Sequence, residues 1–141
     1  LKRHTFTRYE RLKSRKTTKE LFDKGSSVFL YPFKIMFAPI PAAPDPKGGF
    51  FGLPKIMISV SKRNFKRANK RNRIRRRIRE AYRLHKANLF ESVLSETSLA
   101  IGIVYVAKET EPSQRISKKL VEVLQKMLQA YQSGATRTPK T

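Results

Sequence analysis

The residues from Ser59 to Lys86 constrain this chain more than any others. Between Lys62 and Lys86 thirteen Lys and Arg residues stand against one acid, Glu80. A block of like charge that dense ordinarily belongs to a disordered tail, yet the apolar residues inside it keep helical spacing. Ile74, Ile78, Ala81, Tyr82, His85 and Leu89 form one stripe of an α-helix. Arg73, Arg76, Arg79 and Arg83 point away from that stripe. Glu80 lies four residues after Arg76 and three before Arg83, where it relieves part of their repulsion. Such a helix packs on a core by one face and offers guanidinium groups by the other. Guanidinium groups take phosphate oxygens in bidentate fashion, and Asn72 adds a neutral amide suited to a ribose hydroxyl or a base edge. Solubility alone asks for mixed charge, which this surface does not have.

The whole chain shares the bias. Its 141 residues carry 32 Lys and Arg against 10 acids, a net charge of +22, and the pI is about 10.9. Self-repulsion on that scale makes an anionic polymer the natural partner. Nine Phe, five Tyr and a hydrophobic content of 39% are too rich for a disordered chain, and the length suits one domain with a real core. Without cysteine there is neither a disulfide framework nor a thiolate metal site. No apolar run approaches membrane-spanning length and no signal-peptide pattern opens the sequence, so no membrane association and a cytoplasmic location are expected.

Residues 1–16 read as a basic arm, 17–132 as a single domain and 133–141 as a flexible tail. Thr17-Thr18-Lys19-Glu20 has the spacing of a capping box and Gly25 that of a helix stop, which predicts a short helix carrying Leu21 and Phe22. From Ser26 to Ala38 the chain is aromatic and β-prone. Phe33, Ile35 and Phe37 alternate against Lys34 and Met36, and Pro32 predicts a break into two strands. An aromatic face is either core or a stacking platform for unpaired bases, and Phe22 and Phe33 are the candidates for the second role. Residues 39–54, rich in Pro and Gly, read as a long loop. Lys55 to Ser61 alternates as a half-buried strand. Leu99 to Val106 is apolar on both faces, as a central strand is. Strand, helix, strand at this distance is the spacing of a βαβ crossover. Glu111-Pro112-Ser113 starts a last amphipathic helix built on Ile116, Leu120, Val123, Leu124, Met127, Leu128 and Tyr131.

Bond-breaking chemistry has no visible seat. His4 and His85 are far apart, with His85 on the apolar stripe as a packing residue. The acids are scattered, and no nucleophile motif, phosphate-cradling glycine loop or metal-ligand cluster occurs. An autonomous nuclease is therefore disfavoured, and a DNA reader lacks a recognisable helix-turn-helix partner. The residues by themselves describe a nucleic-acid-binding protein.

At the basic segment the pattern becomes specific. Ser59-Val60-Ser61-Lys62, Arg67-Ala68 and Arg71-Asn72-Arg73-Ile74 with Arg75, Arg76 and Arg79 resemble the protein component of bacterial ribonuclease P, whose signature is an RNR helix after an SVSK strand. The resemblance spans most of the chain. It implies an α+β fold, a small α/β sandwich of order αβββαβα with a left-handed βαβ crossover, similar to a ribosomal-protein domain and contrary to the usual right-handed preference. It implies an accessory RNA-binding subunit with no catalytic residue of its own. Ribonuclease P RNA would carry the active site and hold most of the Mg²⁺, precursor tRNA would be the substrate, and no obligate protein partner is evident. Lys62, Arg67, Arg71, Asn72, Arg73, Arg75, Arg76 and Arg79 would face RNA, while Phe22 and Phe33 would line the cleft that holds the 5′ leader. Three positions depart from the family pattern: Thr18 where many members carry an aromatic, a 39–54 loop longer than typical, and Arg77 where an apolar residue is common. A ribosomal or other structural RNA-binding protein is the rival reading.

Overall fold

The computed structural model describes residues 15–41, 54–90 and 97–133. The expectations for the arm before Arg15, for most of the 39–54 loop and for the tail after Ser133 lie outside the described residues.

Helix α1 (Arg15–Lys24) already includes Arg15 and Lys16, read from sequence as arm. Thr17 and Thr18 are therefore helix interior, and the capping-box spacing does not mark the start. Gly25 ends the helix as expected: its amide donates to the Leu21 carbonyl at 2.9 Å. A Cβ at position 25 would run into that same carbonyl oxygen and sit 3.2 Å from the Phe37 carbonyl, so the close approach of helix and sheet needs glycine here.

Strands β1 (Ser26–Leu30) and β2 (Phe33–Pro41) form the hairpin that Pro32 predicts, joined through a cis Tyr31–Pro32 peptide. β2 runs further than the sequence reading allowed, taking in Pro39, Ile40 and Pro41. The ladder with β1 stops at Phe37, so the two prolines fall where, among the described residues, no strand pairs with β2 on that side. β3 (Lys55–Val60) and β4 (Thr97–Tyr105) are parallel neighbours connected through α2 (Ala68–Phe90), the expected βαβ unit. The sheet order is β1-β2-β4-β3, which places β4 centrally. This explains why β4 is apolar on both faces. α3 (Ser113–Ser133) completes the chain order. The mixed four-stranded sheet with three helices is the expected α+β architecture.

The sheet faces are unequal. Phe33, Ile35, Phe37, Ile56, Ile101, Ile103 and Tyr105 lie on the face covered by α2 and α3, and with Ile74, Ile78, Tyr82, Ile116, Leu120 and Val123 they make the main core. Phe33 and Tyr105 meet edge to face at 5.8 Å, an arrangement worth about 1 kcal/mol beyond burial. The opposite face is thin. Gly102 lies there, where an added Cβ would be 3.3 Å from Leu21 and 3.5 Å from Met57, so α1 rests on a strip of sheet with little side chain beneath it. Edge strand β1 carries a guard: the Lys126 ammonium of α3 donates to the Phe29 carbonyl at 3.1 Å.

Candidate nucleic-acid interface

The approach to α2 is a compact turn built by the residues of the SVSK segment. The Ser61 hydroxyl accepts from the amides of Arg63 (3.1 Å) and Asn64 (3.4 Å). The Ser61 carbonyl accepts from Phe65 (3.0 Å), whose ring is buried against Tyr105. The chain then enters the helix with the Arg67 carbonyl taking the amides of Lys70 and Arg71. Ser61 thus acts by turning the chain, and Phe65 by pinning it.

Arg71 is the exception among the predicted contacts. Its Nη1 donates to the carbonyls of Phe65 (2.7 Å) and Lys66 (3.1 Å), and the side chain is half-buried. The sequence reading places it on the RNA side; in the structure its Nη1 also clamps the turn before the helix. The reason is positional. Arg71 is three residues before Ile74 and seven before Ile78, so it continues the inward stripe rather than the outward face.

The remaining predicted residues are all open to solvent, spread over the outward half of α2 and the turn before it. Lys62, Arg67, Asn72, Arg73, Arg76 and Arg79 are exposed and Arg75 is half-exposed, with Arg75 Nη1 donating to the Asn72 amide oxygen at 3.1 Å. That bond orients the Asn72 side chain along the helix. Glu80 is held by Arg83 in a forked pair, with Nε to Oε1 at 3.2 Å. Hydrogen bonding to Arg83 keeps the Glu80 carboxyl below its ordinary range, so the lone acid of the segment stays ionised and engaged. The helix offers a row of cations at fixed spacing with its one negative charge occupied by a neighbour.

The aromatic candidates separate. Phe22 on α1 is exposed (45%). Phe33 is fully buried in the main core, so it cannot line a cleft open to RNA. Strand parity is the cause: Phe33 shares the face of Ile35 and Phe37, and α2 and α3 cover that face. The exposed aromatic on the sheet is Phe29, which the sequence reading missed (53% exposed). Its cross-strand partner is Lys34, whose other partner is Val104, so Phe29 shares the α1 side of the sheet with Lys34, Met36 and Gly102. An aromatic beside a lysine is the platform a single strand needs. Only the hairpin register reveals it.

Among the described residues no three His, Cys, Asp or Glu side chains gather in a way that could hold a metal ion, and no helix is long and apolar enough to cross a membrane. His85 faces Ser117 Oγ at 3.3 Å between α2 and α3, a packing position.

Comparison with known proteins adds the decisive observation: the ribonuclease P family model matches residues 6–128. The chain belongs to the ribonuclease P protein family. A ribonuclease P protein component from Porphyromonas gingivalis is 31% identical over 102 residues, covering 72% of this chain and 69% of that protein. One from Blochmanniella floridana is 30% identical over 80 residues, covering 57% and 59%. Among solved structures, the Staphylococcus aureus RNase P protein aligns with a TM-score of 0.61 at 25% identity, over 84% of this chain and 94% of that one. The Thermotoga maritima protein shares the fold with a TM-score of 0.61 over 83% and 96%, at 22% identity. The α2 surface and the α1 side of the sheet fall within the span matched by the family model.

Proposed function

We propose that this protein is the RNA-binding subunit of a ribonuclease P holoenzyme, seating the arginine face of α2 on ribonuclease P RNA and holding the 5′ leader of precursor tRNA against the α1 side of the sheet. The holoenzyme hydrolyses the precursor at the end of the leader, in the cytoplasm, as part of tRNA maturation. The catalytic Mg²⁺ belongs to the RNA in this reading, and the chain's own residues bind and orient. Lys62, Arg67, Arg73, Arg76 and Arg79 meet phosphates. Arg71 holds the turn that aims them. Phe22 and Phe29 take the places beside the leader, with Lys34 countering its charge, and Phe33 supports them from the core side.

The observation that carries the reading is the exposed cationic row on a helix locked into the βαβ unit by Ile74, Ile78 and Tyr82. A rigid row can match the spacing of phosphates on a folded RNA without first being ordered. The test is cleavage of a leadered precursor tRNA by a bacterial ribonuclease P RNA at low Mg²⁺, with and without the protein. Cleavage that appears only with the protein, the protein alone being inert, is the expected result. RNA binding without stimulation would instead favour a structural RNA-binding protein, and cleavage by the protein alone would require an active site in the chain.

A further inference from the structure

The outer flank of α2 turns toward the first turn of α3, and between them lies an open groove of about 600 Å³ lined by Arg73, Arg76, Arg77, Glu80, Leu84 and Gln114, among others. Its walls differ from the rest of the arginine face. Arg73 and Arg76 are exposed and bond to no described residue. Two helical turns on from Arg76, past Glu80, stands Leu84, a large apolar side chain left 42% exposed, with buried Ala81 beside it. A face that merely tracks phosphates has no use for an apolar wall.

Hydrogen bonds tie α2 and β4 to the segment at one end of the groove. Arg77 Nη1 donates to the Glu111 carbonyl at 2.7 Å, tying α2 to the segment that leads into α3. Tyr105 secures the same segment, its hydroxyl donating to the Glu109 carbonyl (2.7 Å) and accepting from the Glu111 amide (3.0 Å). Arg77 thus fastens the groove and adds a cation to its edge.

Both acids nearby are occupied, Glu80 by Arg83 and Glu111 by Arg115 at 2.9 Å. The first turn of α3 contains no acid, and the Ile116 amide is bonded to the Pro112 carbonyl, leaving the amides before it without helical acceptors. These strengthen a positive field that the arginines set up.

We propose that this groove binds one unpaired nucleotide of the RNA, its phosphate on Arg73 and Arg76 and its base against Leu84 and Ala81, with Gln114 at the base edge. The proposal rests on the reading that the chain binds RNA. The volume falls in the range of about 300–1,000 Å³ usual for small-ligand sites. A nucleotide is the ligand that carries an anion and a flat apolar face a short reach apart, which is how unpaired bases are recognised. A duplex would offer the phosphate but keep its bases stacked inside.

The experiment titrates the full chain, with leucine methyl groups labelled, with hexa-adenylate and separately with inorganic phosphate, and measures hexa-adenylate affinity for Leu84→Ala and Gln114→Trp. Both substitutions lie on the surface and keep the charge, and alanine keeps the helix. Hexa-adenylate should shift the Leu84 methyl signals while inorganic phosphate leaves them in place. Each variant should lose on the order of fivefold in affinity at an unchanged salt slope, as loss of a base contact does. Leu84 signals indifferent to hexa-adenylate, or variants that bind it as the parent does, overturn the groove. If those variants also bind ribonuclease P RNA normally while Arg76→Ala does not, the groove alone falls and the RNA-binding reading stands. If none of the three changes affects RNA binding, that reading loses α2 as well.

Discussion

Arg71 and Arg73 stand two residues apart in the RNR segment and should fail in different ways when removed. Arg71→Ala deletes two bonds from a charged donor to backbone carbonyls, one part-buried at 2.7 Å and one exposed at 3.1 Å. A buried bond to a charged group contributes about 1.5–3 kcal/mol and an exposed one much less, so the half-buried clamp should cost about 1–2 kcal/mol of stability. Arg73 makes no bond to a described residue, and Arg73→Ala should leave stability within about 0.5 kcal/mol of the parent. Binding to ribonuclease P RNA should show the reverse ranking in its salt dependence. Removing one phosphate contact lowers the slope of log K against log salt by about 0.7–0.9, and Arg73→Ala should show that change. Arg71→Lys sharpens the contrast: it keeps the charge, but its shorter side chain ends before the Nη1 position that reaches both carbonyls, so it should lose stability and keep the slope. Urea unfolding and fluorescence anisotropy over a salt series measure both quantities. If Arg71→Ala is as stable as the parent, the clamp is wrong. If Arg73→Ala keeps the parental slope, the outward face of α2 is not in the interface.

Other perturbations follow from the same geometry. Phe33→Ala should cost about 3–5 kcal/mol by opening a cavity in the main core, whereas Phe29→Ala should leave stability nearly unchanged and weaken binding of precursor over mature tRNA; equal stability losses would refute the assignment of faces. Gly25→Ala should destabilise the chain by forcing α1 off the sheet, read as a lowered unfolding midpoint, because its Cβ meets backbone oxygens that cannot turn aside. Burial pushes the Tyr105 hydroxyl up to about 12 from 10.0, the Glu111 amide opposing the shift. The folded chain then holds this proton more tightly than the unfolded one, so this group's contribution to stability is full below pH 10 and is lost as the pH rises toward 12. Tyr105→Phe, compared with the parent over that window, should lack this component of the decline.

Much of the architecture was legible because it is periodic. Ile74, Ile78 and Tyr82 announced α2, alternation announced β3, and apolarity on both faces announced the central β4. The same periodicity contained information that a signature-based reading overrode. Arg71 sits on the inward stripe, where it braces the turn, and Phe33 shares parity with Ile35 and Phe37, which its aromatic character as a stacking candidate outweighed. Phe29 is a different case: which face it occupies depends on how β1 pairs across Tyr31–Pro32, and nothing local reports a register. The groove at Leu84 was hidden for a similar reason, since it exists only where α3 comes to rest against α2. Thr17 shows the limit of local signals, its capping pattern overtaken by a helix that is already under way at Arg15.

The bond from Lys126 to the Phe29 carbonyl bears on how the protein behaves in company. β1 is a sheet margin whose Val28-Phe29-Leu30 run would suit a visiting strand from another molecule. Any such visitor must displace an ammonium group from the carbonyl it needs and then lie beside that charge. In a cell crowded with copies still awaiting their RNA, a single lysine on the far helix therefore works as a deterrent to self-assembly, keeping an adhesive border available to none of its own kind.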